Sequence, residues 1–164
     1  MIEVEELSES EINEVIGRVG YGHLACCRDG HPYVVPVHYA FENGDIFIYT
    51  TEGKKAAIIN QNPNVCIQIE EVTDNQHWQS VIFDGVAAEI TNLEEREHAI
   101  KLILAVNPSL TPAVSIHWMD DWVRENIEVM YRITPTATSG RRAVAHSVTA
   151  PVIPRKDGGN DEII

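Results

Sequence analysis

Apolar residues first fall into a regular period in the stretch 8–22, SESEINEVIGRVGYG. Ile12, Val15, Ile16 and Val19 recur at helical intervals, Ser8 and Glu11 stand in capping-box spacing, and glycines follow at 20 and 22. This predicts a short amphipathic helix with a definite stop. From His23 the period shortens to that of strands: HLACCR, then HPYVVPVHYAF, then DIFIYTT, with turns at Asp29-Gly30 and Asn43-Gly44. The three read as an antiparallel meander. Pro32 and Pro36 cannot donate ladder hydrogen bonds, so the middle strand should be an edge, carry a bulge, or turn its backbone toward something other than a strand.

Lys54 to Gln61 has helical composition and ends at Asn62-Pro63. VCIQIE and WQSVIFDGVAAEI resume the strand pattern, Gly85 marking a bulge or bend. A second capped helix follows, with Asn92 and Glu95 at its start, Ala99, Leu102, Ile103 and Val106 on one face, and Asn107-Pro108 at its end. NIEVMYRITP is the sixth strand. The acidic runs EVEE and EERE read as solvated helix starts. The expected architecture is mainly β, a small antiparallel barrel of about six strands with peripheral helices, in one domain over 1–140. Residues 141–164 read as an irregular tail rich in Pro, Gly and charge.

Composition narrows the function classes. With 25 acidic against 12 basic residues and a formal net charge of −13, the surface should repel polyanions, so nucleic acid is not an expected partner. No apolar run approaches the roughly 20 residues that span a bilayer. MIEVEELSES lacks the basic start and apolar middle of a secretory signal, so a cytoplasmic location is expected. Cys26, Cys27 and Cys66 are odd in number and lack ligand spacing; they read as free thiols without a redox role. The seven histidines show no metal-ligand spacing, and no metal is expected.

Against that acidity, TTEGKKAAII is conspicuous. A strand ends in two hydroxyls, turns at a glycine and opens a helix carrying Lys54 and Lys55. A helix start offers unpaired N–H groups and a positive dipole end, to which a lysine adds a full charge, so the arrangement suits a phosphomonoester. Solvated lysines on a first turn are the plainer alternative.

The segments GHLACCRDGHPYVVPVHYAFENGDIFIYTTEGKKAAIINQNPNVCIQIE and WQSVIFDGVAAEI resemble the pyridoxamine 5′-phosphate oxidase-related proteins of the FMN-binding split-barrel fold, in the branch related to nitroimidazole-resistance reductases. The likeness covers roughly residues 8 to 134. It implies a homodimer holding FMN in clefts between subunits. Lys55 would hold the phosphate together with Thr50 or Thr51, with Lys54 at a position where the family varies. Val35, Pro36, Val37 and His38 match the strand bordering the flavin ring, and Gln79 and Ser80 match polar positions near the cofactor. Trp78 would pack at the dimer cleft. His38, as a proton donor to a reduced acceptor, is the candidate catalytic residue. An ordinary half-buried strand histidine is its plain counterpart.

Family members that oxidise pyridoxamine 5′-phosphate bind a second phosphate through arginines near the C-terminal strand. That set does not map onto MYRITPTATSGRRA, where Arg132, Arg141 and Arg142 are the basic residues. The expectation is therefore an FMN-dependent reductase or oxidase acting on an unidentified small molecule. A haem- or deazaflavin-binding protein on the same scaffold, and a cofactor-free dimeric binding module, are the alternatives. Val34, Phe47, Trp78 and Ile82, spread over both strand faces, suggest more apolar surface than one small core buries, which also points to a partner copy.

Overall fold

The computed structural model describes residues 2–108 and 128–145. Its elements are β1 (Ile2–Glu6), α1 (Glu9–Val19), β2 (Tyr21–Arg28), β3 (His31–His38), β4 (Ala40–Glu42), β5 (Asp45–Thr51), α2 (Lys54–Gln61), β6 (Asn64–Asp74), β7 (His77–Glu89), α3 (Leu93–Val106) and β8 (Glu128–Ala145). Helix α1 forms where its pattern placed it. Ser8 and Glu11 make the reciprocal capping box, Gly20 closes the helix at φ 67°, and Ile12, Val15 and Ile16 face the core. The two hairpins form on two-residue turns, Asp29-Gly30 and Asn43-Gly44, all four residues having positive φ as such tight turns require.

All strand pairs are antiparallel, in the order β3-β2-β6-β7-β8-β5-β4, with β1 added along β8. The two ends of that path, β3 and β4, are consecutive in sequence with Tyr39 alone between them. Successive Cα atoms are about 3.8 Å apart, so the path must curl until its ends meet, and the sheet is a barrel. The meander expected over residues 23–51 is thus broken at Tyr39. β3 pairs with β2, β4 pairs with β5, and the closing seam has no β3–β5 ladder.

A main cluster fills the barrel with Leu24, Ile46, Ile48, Ile67, Ile69, Phe83, Tyr131 and Ile133, capped by residues from α1 and α2. A second lies outside under α3, where Ala99 and Ile103 meet Phe47, Met130 and Ile90. β5 and β8 are therefore covered on both faces, which explains their unbroken apolar runs. Phe47, expected as surplus apolar surface for a partner, is 6% exposed in this second cluster and leaves no surplus. Gly85 sits at a register shift of β7 against β8, where a Cβ would lie 2.7 Å from the Thr134 carbonyl oxygen. The expected bulge is there because only a bare backbone fits.

Several expectations are corrected. The strand count is eight, since β1 was not foreseen and β4 separates from β3. EVEE is not a helix start: it alternates along β1, an edge strand whose exposed acids oppose Arg141 and Arg142 of β8. EERE does open α3. Residues 141–145, assigned to the irregular tail, continue β8, because β1 and β7 both supply ladder partners there. The rest of that tail lies outside the described residues. No helix among the described residues is long and apolar enough to cross a membrane.

Candidate functional site

β5 delivers Thr50 and Thr51 to the barrel end, the chain turns through Glu52 and Gly53, and α2 begins at Lys54. Gly53 is the N-cap and offers no side-chain oxygen to the first turn. The first helical bond runs from the Ala57 N–H to the Gly53 carbonyl, leaving the N–H groups of Lys54, Lys55 and Ala56 without intrahelical partners. Lys55 is half-buried and has no carboxylate partner among the described residues. Burial pushes its ammonium below the usual lysine range, partly countered by the nearby Cys26 sulfur. Lys54 is exposed and sets its Nζ 4.4 Å from the centroid of the Tyr33 ring, a cation–π contact to β3. Strand alternation puts Thr50 on the face of Ile46 and Ile48 and Thr51 on that of Phe47 and Tyr49, so only one hydroxyl can serve a ligand on either face.

β3 is the neighbouring wall, and among the described residues no strand pairs with its second edge. The two-residue turn after Arg28 and the Tyr39 N–H donating to the Gly20 carbonyl at 3.1 Å anchor the ladder at both ends. Between them the odd-numbered residues of β3 direct their backbone groups to β2, while Pro32, Val34, Pro36 and His38 direct theirs to the open edge. Both prolines therefore cost no ladder bond. The side chains follow a different division: Val37 is buried in the core and Val35 packs against it, whereas Pro36 and His38 are exposed. The His38 ring stands 5.2 Å from the Tyr21 ring, which stands 5.6 Å from that of His23. Val34, 57% exposed and with its N–H at the open edge, belongs to this wall and was not singled out as a site residue. The prolines at 32 and 36 were the signal, because they fix which intervening groups point outward.

Trp78, Gln79 and Ser80 lie elsewhere. Thr50 pairs with Val129 of β8 and Ser80 with Arg141 of the same strand. Twelve residues at about 3.3 Å each put roughly 40 Å of strand contour between the two positions. Gln79 donates to Glu71, whose carboxylate takes a two-pronged bond from Arg18 of α1 at 2.7 and 3.0 Å, so Glu71 ties α1 to the barrel and Gln79 holds Glu71 in place. Trp78 and Ser80 line a cavity of about 580 Å³ with Leu7, Ile12, Ile82 and Arg141, and no residue of β3, β5 or α2 reaches it. The expected site residues thus fall into two groups within one chain.

A smaller cavity of about 330 Å³ on the outer sheet face is lined by Cys27, Cys66 and Asp84. Cys26 is buried and the other two thiols are half-buried, all unpaired. Burial and a hydrogen bond with Asp84 push Cys66 up to about 11, which keeps it a thiol at neutral pH. No group of three or more His, Cys, Asp or Glu side chains that could hold a metal ion occurs among the described residues.

The family model for pyridoxamine 5′-phosphate oxidase matches residues 8–142, from the α1 cap to Arg142 on β8. An uncharacterized protein of Rhizobium meliloti is 34% identical over 104 residues, covering 61% of this chain and 69% of its own. The crystal structure of a FAD-binding protein from Mesorhizobium loti superposes with a TM-score of 0.72 at 30% identity, over 88% of this chain and 100% of that one. A FAD-binding protein of Mycobacterium smegmatis, at 23% identity, shares the fold, with a TM-score of 0.63 over 84% of this chain and 97% of its own. Most of the sequence, both candidate walls and every strand except β1 and the last three residues of β8 lie inside the matched range, and the chain belongs to the pyridoxamine 5′-phosphate oxidase family.

Proposed function

We propose that the protein binds a flavin as FMN, with the phosphate at the start of α2 and the ring along the open edge of β3, and that it works as a flavin-dependent oxidoreductase on a small molecule. The observation that carries this is Lys55. A half-buried ammonium with its proton affinity lowered and no carboxylate paired with it among the described residues, in a chain of net charge −13, is a cation waiting for an anion. The three unpartnered N–H groups of the same helix turn suit phosphate oxygens. Binding of FAD by the Mesorhizobium loti protein, which this chain resembles at 30% identity, supports a flavin. The backbone groups of Val34 and His38 and the carbonyl of Pro36 on the free edge suit the donor and acceptor groups of a flavin ring.

Bound flavin supplies hydride or single-electron chemistry; the protein positions and tunes it. Lys55 holds the phosphate charge, and Lys54 adds to the local positive field while braced on Tyr33. His38, exposed beside Tyr21, is placed to deliver a proton to a reduced acceptor. His38→Ala with full turnover and full cofactor content would remove it from that role. Trp78, Gln79 and Ser80 join the same site only when a second copy brings them, which favours a homodimer; exposed Tyr21 and Val34 are apolar surface suited to such a contact.

The test is the visible spectrum of the purified protein, followed by chromatography of the chromophore released by acid. Flavin absorbance and FMN at close to one per chain are expected. A Soret band would move the account to haem, and a colourless protein that ignores added FMN would leave the lysines as solvated charges on a cofactor-free scaffold.

A further inference from the structure

The cavity of about 330 Å³ on the outer sheet face sits at the bulge of Gly85. β7 pairs Asp84 with Ala137 and Gly85 with Pro135, so Thr136 has no partner on β7. A bulge bends its strand and interrupts the ladder, and Asp84 and Thr136 line the cavity where it does so.

Two thiols reach the same space from the neighbouring strands. Ala25 pairs with Cys66 in the β2–β6 ladder, and strand alternation puts Cys27 on the face of Ala25, so Cys27 and Cys66 are diagonal neighbours across the two strands. Both are unpaired, half-buried and at the cavity, whereas Cys26 turns its side chain into the barrel cluster. Their backbones are fixed. Cys66 lies in the ladders to β2 and β7, and the Asn62 side-chain amide donates to the Cys27 carbonyl at 2.9 Å, pinning the end of β2 to the end of α2. Diagonal neighbours on a sheet sit about 7–8 Å apart at Cα, beyond the roughly 4.4–6.8 Å that a disulfide spans. An ion between the sulfurs makes a longer link: two metal–sulfur bonds of about 2.3 Å set them nearly 5 Å apart, against about 2 Å in a disulfide.

We infer that Cys27 and Cys66 are the two ligands of a linear site for a soft monovalent cation, Cu(I). Thiolates select Cu(I), and two of them complete its linear coordination. Zn(II) asks for four ligands, and no group of even three suitable side chains occurs among the described residues. Binding displaces two thiol protons without any change of oxidation state. That of Cys66 passes to the Asp84 carboxylate, to which the thiol is hydrogen-bonded, and that of Cys27 leaves to water. One cation enters as one proton leaves, so the charge of the cavity is unchanged and the carboxylate does not oppose the ion. None of the residues assigned to the flavin lines this cavity, and the site stands apart from that reading.

The experiment is anaerobic titration of the reduced full-length protein with Cu(I) in competition with bicinchoninate, whose Cu(I) complex absorbs beyond the flavin bands. Wild type, Cys27→Ser, Cys66→Ser and Cys26→Ala are compared, with flavin content and the urea midpoint read in parallel. About one Cu(I) per wild-type chain is expected. Each serine variant should bind it more than about 100-fold more weakly, beyond the 10- to 100-fold that a supporting contact is worth, while Cys26→Ala binds like wild type and all four keep their flavin content. Wild type should not take up Zn(II) stoichiometrically under the same conditions. X-ray absorption at the copper edge of the wild-type complex needs no variant to fold, and should show two sulfur ligands at one distance. Any of five results would overturn the proposal: no uptake of Cu(I) against the competitor, unchanged affinity in either serine variant with a wild-type urea midpoint, loss of binding in Cys26→Ala, Zn(II) bound as tightly as Cu(I), or a coordination shell other than two sulfurs. Loss of flavin from a serine variant would equally overturn it, by assigning that thiol to the cofactor.

Discussion

Replacing Lys55 by Met should move stability and cofactor affinity in opposite directions. Methionine keeps the apolar stem that packs at the α2 start and removes the charge that burial disfavours. Burial holds the folded-state pKa of Lys55 below its ordinary value of 10.5. The unfolded chain therefore binds more protons between the lowered value and 10.5, stability rises with pH in that window, and at neutral pH the protonated lysine costs the empty protein its full penalty. Lys55→Met lifts that penalty, so the flavin-free variant should unfold at the same or higher urea concentration than wild type. FMN affinity should fall. One charge-assisted hydrogen bond is worth about 1.5–3 kcal/mol, or roughly 10- to 150-fold in Kd, while the helix-start N–H groups remain and keep the loss from being complete. Urea denaturation of the apo-protein and quenching of FMN fluorescence on binding give the two numbers. A variant that binds FMN like wild type, or one whose apo form loses more than about 1 kcal/mol, would refute the reasoning, because the lysine would then serve the fold.

Three further outcomes follow from contacts elsewhere. Gly140→Ala forces a Cβ to within 2.8 Å of Leu7 and should lower the urea midpoint by an amount equivalent to about 1–3 kcal/mol, with the slope unchanged. Tyr39→Phe removes the buried hydroxyl that donates to the Ile16 carbonyl at 2.7 Å and should cost about 0.5–1.5 kcal/mol in the same assay. The Ser8 N–H and hydroxyl, with Arg142, hold Glu11 down to about 2 from its ordinary 4.5, so this carboxylate stabilises the fold above pH 4.5 and the benefit is lost as pH falls toward 2. Thermal unfolding over that range should show a shallower acid loss in Glu11→Gln than in wild type.

Local chemistry made much of this legible. Ser8, Glu11 and Gly20 bound α1, Asn92 and Glu95 start α3, and the paired turn residues fix both hairpins, because caps and two-residue turns are satisfied by near neighbours in sequence. What escaped depends on distant partners. The acidic alternation of β1 acquires strand meaning only through its ladder to β8, and Tyr39 breaks the chain between two strands because the barrel must close there. Phe47 was read as surface because α3, which covers it, arrives 46 residues later at Leu93. The grouping of site residues was also hidden. Trp78 and Ser80 stand in a matching order of motifs with Lys55, yet pairing order along β8 carries them to the other end of the barrel.

The central claim is that the start of α2 holds a phosphate, and calorimetric titration of the flavin-free wild-type protein with FMN and with riboflavin tests it most directly. The two ligands share the ring and ribityl chain and differ only in the phosphate. FMN should bind at least about tenfold more tightly than riboflavin, the increment of one charge-assisted contact or more. Equal affinities would contradict the account, because Lys55 and its helix turn would then contribute nothing to holding the cofactor.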